Sequence, residues 1–128
     1  MLSLNPPIRD WHDKTVWIVG ASSGIGLALA QLLVARGARV VASARRQAAL
    51  DQITPAPFLT IACDVARTES IAAALAAMQK AGVIPDVVIW LAGVYCPMPA
   101  HQLDMAGVRE TFDINLISAY DAQAALIN

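Results

Sequence analysis

With 128 residues, 57% of them hydrophobic and only 15% charged, the chain has the length for one domain and the apolar content for a sheet covered on both faces. A formal charge of -1 offers no attraction for nucleic acid or an anionic membrane surface, so neither is expected as a partner. Apolar runs are broken by Asp64, Lys80, Asp86 and several prolines before any reaches the roughly 18 to 20 residues of a spanning helix, and a soluble protein is expected.

Residues 1–13 read as an irregular lead-in, with Pro6-Pro7 and without the basic-then-apolar order of a secretory signal. Trp11 is suited to pin this segment to the domain. His12 has no acidic or cysteine partner at ligand spacing and reads as solvated. Cys63 and Cys96 are too few and too scattered for a disulfide framework or a metal site, so they read as two buried thiols in a reducing cytoplasm. No metal is expected.

From residue 14 onward strand and helix patterns alternate. Thr15 to Val19 is a first, buried strand. Ile25 to Arg36 is a helix whose apolar stripe is Ile25, Leu29, Leu32 and Leu33, and Gly37 ends it. Between them lies Gly20-Ala21-Ser22-Ser23-Gly24-Ile25-Gly26. A strand, a glycine turn and a helix N-terminus form an anion site, because free N–H groups and the positive end of the helix dipole converge there. Gly20 permits the tight exit from the strand, Gly24 lets the backbone approach a pyrophosphate, and Gly26 lets the helix lie close to the sheet. The spacing Gly-x-x-x-Gly-x-Gly differs from the common dinucleotide fingerprint, and a glycine turn without a ligand is the alternative.

The stretch Val19 to Gly26 resembles the cofactor loop of the short-chain dehydrogenases/reductases, with Val19 where that family usually has Thr. The resemblance implies a doubly wound parallel sheet with helices on both faces, of the Rossmann type, and a nicotinamide dinucleotide held by Gly20, Ser22, Ser23, Gly24, Ile25 and Gly26. It covers essentially the whole chain, with residues 14–128 as one dinucleotide-binding domain.

The second strand, Arg39 to Ala44, ends where an acidic residue about 20 positions beyond the glycines commonly binds the adenosine ribose. Ala44 stands there, followed by Arg45 and Arg46. Two guanidiniums and no carboxylate favour a 2′-phosphate, and therefore NADP(H) over NAD(H); the alternative is two solvated arginines at a helix start. Gln47 to Ile53 is a short helix, and Phe58 to Ala62 is the third strand. Asp64-Val65 behind it matches the family pair beside the adenine ring, although Asp also suits a plain turn.

Thr68 is suited to cap a helix that carries Ile71, Leu75 and Met78 as core and stops at Gly82. Asp86 to Leu91 is the fourth strand. Behind it the family commonly reads Asn-Asn-Ala-Gly where this chain has Trp90-Leu91-Ala92-Gly93; both asparagines are missing, and Ala92-Gly93 still permits close backbone approach to the cofactor ribose. After the loop that carries Tyr95, Cys96 and His101, Asp104 caps a long helical stretch with apolar positions at Val108, Phe112, Leu116, Ile117 and Tyr120. Asn115 in Phe112-Asp113-Ile114-Asn115-Leu116 corresponds to the family's active-site Asn, whose main-chain carbonyl holds a water in a proton relay. A solvent-facing helical Asn is the alternative.

The family's chemistry needs a Tyr as general acid/base, a Lys four residues later and a Ser orienting the substrate carbonyl. Tyr95 is followed at that distance by Pro99 and Tyr120 by Ala124, and the only lysines are Lys14 and Lys80. The chain therefore looks like an amino-terminal half, with the catalytic Ser and Tyr-x-x-x-Lys expected beyond Asn128. The implied protein is an oxidoreductase that moves hydride between NADP(H) and a small carbonyl or alcohol, oligomeric in its full-length form. A non-catalytic dinucleotide-binding or regulatory module is the alternative.

Overall fold

The computed structural model describes residues 6–127, so the first five residues of the lead-in and Asn128 lie outside the description. The elements are β1 (Thr15–Val19), α1 (Gly24–Ala35), β2 (Arg39–Ala44), α2 (Gln47–Leu50), β3 (Leu59–Ala62), α3 (Thr68–Lys80), β4 (Val87–Trp90), α4 (Met105–Phe112), a π-helical turn (Asp113–Ile117) and α5 (Ser118–Ile127). All strand pairs are parallel in the order β3-β2-β1-β4. The chain winds outward from β1 through β2 to β3 and then crosses to the other side of β1. That reversal makes the carboxyl ends of β1 and β4 the natural mouth for a ligand.

β1 is the central strand, and all five of its residues are buried. Period-two alternation divides them. Val16 and Ile18 join Ala30 and Leu33 of α1, with Val40, Ala42 and Leu50, on one face of the sheet. Trp17 and Val19 join Val41, with Ile71 and Met78 of α3 and Ala122 of α5, on the other. Burying each such Val, Ile or Leu contributes about 1.5 to 3 kcal/mol, so two covered faces account for the near-continuous apolar strands. At the opposite end of the sheet Asp86 brackets the first residue of β1: its carboxylate accepts the Thr15 N–H at 2.8 Å while its own N–H donates to the Thr15 carbonyl at 2.8 Å. Trp11 packs against the Val16 face, as the lead-in reading expects.

Several local expectations are corrected. In α1 the sheet-facing residues are Gly26, Ala30 and Leu33, whereas Ile25 is 77% exposed and Leu32 46% exposed. A β-carbon on Gly26 would collide with the Gly20 carbonyl. The close approach therefore turns Gly26 and Ala30 inward in place of Ile25 and Leu32, whereas Leu33 is buried and Leu29 packs against the core as expected. α3 starts behind Arg67, not Thr68, with no side-chain cap. The nearby Ser70 hydroxyl instead accepts the Asp64 N–H at 2.9 Å. Beyond β4, Asp104 does cap α4, accepting the Ala106 N–H at 3.0 Å. Of the apolar positions expected to follow it, Val108 is half-buried but Phe112, Leu116, Ile117 and Tyr120 are all exposed, and Gly107, Ile114, Ser118 and Ala122 are buried. The π-helical turn adds a residue to one helical turn and shifts the phase of everything behind it.

Cys63 is buried as expected, but Cys96 is exposed, and both thiols are free. His12 is exposed, yet it has an acidic partner after all: its Nδ1 lies 3.0 Å from an Asp10 carboxylate oxygen. Among the described residues no helix is long and apolar enough to cross a membrane.

Candidate functional site

A cleft of about 410 Å³ opens along the carboxyl ends of all four strands, within the size range of small-ligand sites. Each strand end contributes. Gly20, Ser22 and Ser23 come from the turn behind β1, Arg45 from behind β2, Asp64 and Val65 from behind β3, and Ala92 and Gly93 from behind β4. Of the twelve residues read from sequence as cofactor contacts, eight line this cleft. Arg46 does not: it is the residue before the first turn of α2, outside the cleft. Gly24, Ile25 and Gly26 form the first turn of α1 and do not line the cleft wall.

The turn behind β1 is held rigidly. The Gly20 and Ala21 N–H groups both donate to the Ser43 carbonyl, at 2.8 and 3.0 Å. Ser43 also accepts, on its hydroxyl, the buried Trp17 indole N–H at 2.8 Å. Gly20 has φ 97°, and a β-carbon there would lie 2.6 Å from the Ala92 nitrogen, so the turn can sit against β4 only as glycine. Gly24 differs. Its φ is 54°, but a β-carbon there would meet no protein atom within 4 Å. The space in front of it is open to a ligand. Ser23 precedes α1 in an extended conformation without a side-chain cap, and the first turn contains no acidic residue. The N–H groups of that turn therefore have no carboxylate competing with an incoming anion.

Asp64 occupies the far end of the cleft and also serves its own turn: one carboxylate oxygen accepts the Ala66 N–H at 3.2 Å. Cys63 beside it is buried, which pushes its thiol pKa upward and keeps it neutral. Behind β4, Asn115 holds the wall without lining it. Its Oδ1 accepts the Val94 N–H at 2.7 Å and its Nδ2 donates to the Val94 carbonyl at 2.8 Å. A β-carbon on Gly93 would lie 3.2 Å from Asn115 Oδ1. Asn115 sits in the π-helical turn, whose local widening aims the amide at the loop.

Sequence reasoning missed Ser43, Glu110 and Ile114. Ser43 looks like a small residue within an apolar strand, and its partners lie far away in sequence. Glu110 and Ile114 line the cleft from α4 and the π-helical turn, which no spacing rule connects to the strand ends. The only tyrosines, Tyr95 and Tyr120, are 86% and 62% exposed and lack a lysine four residues later. Among the described residues no group of three or more His, Cys, Asp or Glu is placed to hold a metal ion. The geometry can bind and orient an anionic nucleotide, and it holds no Tyr-Lys pair for proton transfer.

Comparison with known proteins agrees with this architecture. The family described as short chain dehydrogenase matches residues 14–128. Human dehydrogenase/reductase SDR family member 11 is 26% identical over 121 residues, covering 88% of this chain and 46% of that protein. Human retinol dehydrogenase 16 is 32% identical over 124 residues, covering 91% of this chain and 38% of that protein. The crystal structure of a short chain dehydrogenase from Mycobacterium smegmatis superimposes with a TM-score of 0.80 at 26% identity, over 91% of this chain and 51% of that one. The chain thus spans about half the length, or less, of these relatives. Parallel sheet, glycine turn and matched span together make this chain a member of the short chain dehydrogenase family.

Proposed function

We propose that the chain is the NADP(H)-binding part of an oxidoreductase that moves hydride between nicotinamide and a small carbonyl or alcohol. The observation that carries this reading is the meeting, in one cleft, of Arg45 with Ser22 and Ser23, the residues that lead into the uncapped start of α1. Arg45 has no ion-pair or hydrogen-bond partner among the described residues. It is free to pair with a 2′-phosphate, while the α1 end and the Ser22 and Ser23 hydroxyls receive the pyrophosphate. Asp64, Val65 and Ile114 supply the floor for the base, and Ala92-Gly93 lets a ribose lie against backbone. The bound dinucleotide would supply the hydride-accepting or hydride-donating ring. Asn115 keeps the loop beneath that ring in place through Val94, and its main-chain carbonyl is the group proposed to hold a relay water.

The protonation step requires a Tyr-x-x-x-Lys and a Ser that these residues do not provide. Free cysteines fit a reducing cytoplasm, and the exposed apolar residues of the last helices fit an oligomeric whole protein. Calorimetric titration with NADPH and NADH tests the cofactor reading. One charge-assisted pair is worth about 1.5 to 3 kcal/mol, so a preference of roughly one to two decades for NADPH is expected, lost in Arg45→Ala. Equal affinities, or an unchanged preference in Arg45→Ala, contradict it.

A further inference from the structure

Three charged side chains line the cleft: Arg45 from behind β2, Asp64 from behind β3 and Glu110 from α4. Arg45, with Ser22 and Ser23 ahead of α1, suits the phosphates of a dinucleotide. The carboxylates of Asp64 and Glu110 repel phosphate and suit the part of the ligand that donates hydrogen bonds. Val65 and Ile114, which line the same cleft, pack on the Trp17 face of the sheet.

Of the two carboxylates, Asp64 already accepts the Ala66 N–H. The Glu110 carboxylate has no hydrogen-bond or ion-pair partner among the described residues. Spacing of four keeps it on the helix stripe of Ile114, which with Val65 forms an apolar wall of the same cleft. An aromatic base laid on that wall would present its edge to the Glu110 carboxylate. Building on the dinucleotide reading above, we propose that Glu110 is a specificity-determining residue that accepts a hydrogen bond from the exocyclic amino group of the adenine. The ribose hydroxyls are the competing donors, and a change confined to the base separates them.

The test measures affinity of the whole chain for NADPH and for its hypoxanthine analogue, which carries a carbonyl in place of the amino group and keeps both riboses. The unaltered protein should prefer the adenine cofactor by about tenfold or more. Glu110→Ala should reduce that preference to roughly threefold or less, while Glu110→Gln, which retains an acceptor oxygen, should keep most of it. Glu110 is exposed, so neither substitution disturbs the core, and circular dichroism verifies this. An unchanged preference in Glu110→Ala, or equal loss of both cofactors, overturns the proposal while leaving the dinucleotide site standing. Failure of the unaltered chain to bind either compound overturns the dinucleotide reading and this proposal with it.

Discussion

Ser43 is fully buried and joins three groups: the N–H of Gly20, the N–H of Ala21 and the indole of Trp17. Ser43→Ala leaves the Trp17 N–H buried without an acceptor, and a loss of about 1 to 3 kcal/mol is expected in denaturant unfolding. Ser43→Thr keeps the hydroxyl and should recover part of it. Gly20→Ala places a methyl against the Ala92 backbone at a positive φ and should lower stability as well as cofactor affinity. The two thiols should separate in reactivity: a thiol reagent should modify exposed Cys96 quickly in the native protein and Cys63 only after unfolding. Burial raises the Cys63 pKa, so the folded state binds that proton more tightly than the unfolded state. The sign is a stability contribution that is complete below the ordinary thiol pKa of about 8.5 and lost as pH rises through the higher folded value. A unfolding midpoint that rises in alkaline solution would contradict that assignment.

At the scale of elements, Asn115 is the clearest case of a residue legible in identity and illegible in role. The motif Phe112-Asp113-Ile114-Asn115-Leu116 resembles a family segment, but the clamp on Val94 depends on a π-helical turn that residue spacing does not announce. Asn115→Ala removes both hydrogen bonds and should cost about 1 to 3 kcal/mol with weaker cofactor binding. Asn115→Asp retains the acceptor for the Val94 N–H and loses the donor to its carbonyl, so thermal unfolding should place it between the two. The same turn shifts the phase of Tyr120 behind it, which is exposed although its spacing looks like a core stripe. α1 erred for another reason: helical periodicity ranks Ile25 above Gly26, while contact with Gly20 requires the smallest residue inside. Strand positions were legible because parallel strands buried on both faces carry little except apolar residues, as β1 does.

For the molecule as a whole, the order β3-β2-β1-β4 gathers four strand ends that sequence reasoning had already marked singly at Gly20, Arg45, Asp64 and Ala92. Alternating patterns made the sheet legible. The place of Glu110 was not, because no spacing rule ties α4 to the strand ends whose cleft it lines. With no Tyr-x-x-x-Lys among its 128 residues, this chain should bind NADPH without turnover of diketones or quinones, followed by NADPH absorbance. Turnover would place a proton donor within these residues. β4 has one strand partner among the described residues, and Val88, Phe112 and Tyr120 expose apolar surface, so sedimentation should reveal concentration-dependent self-association.

Whether the strand ends form a dinucleotide cleft is read out by amide chemical-shift mapping of the labelled chain during NADP titration. Saturable shifts are expected at Gly20, Ser22 to Gly26, Arg45, Asp64, Val65 and Gly93, with Thr15 and Asp86 at the opposite end of the sheet unmoved. Shifts centred on the Thr15 end, or no saturable shift at the glycine turn, would contradict a dinucleotide cleft there.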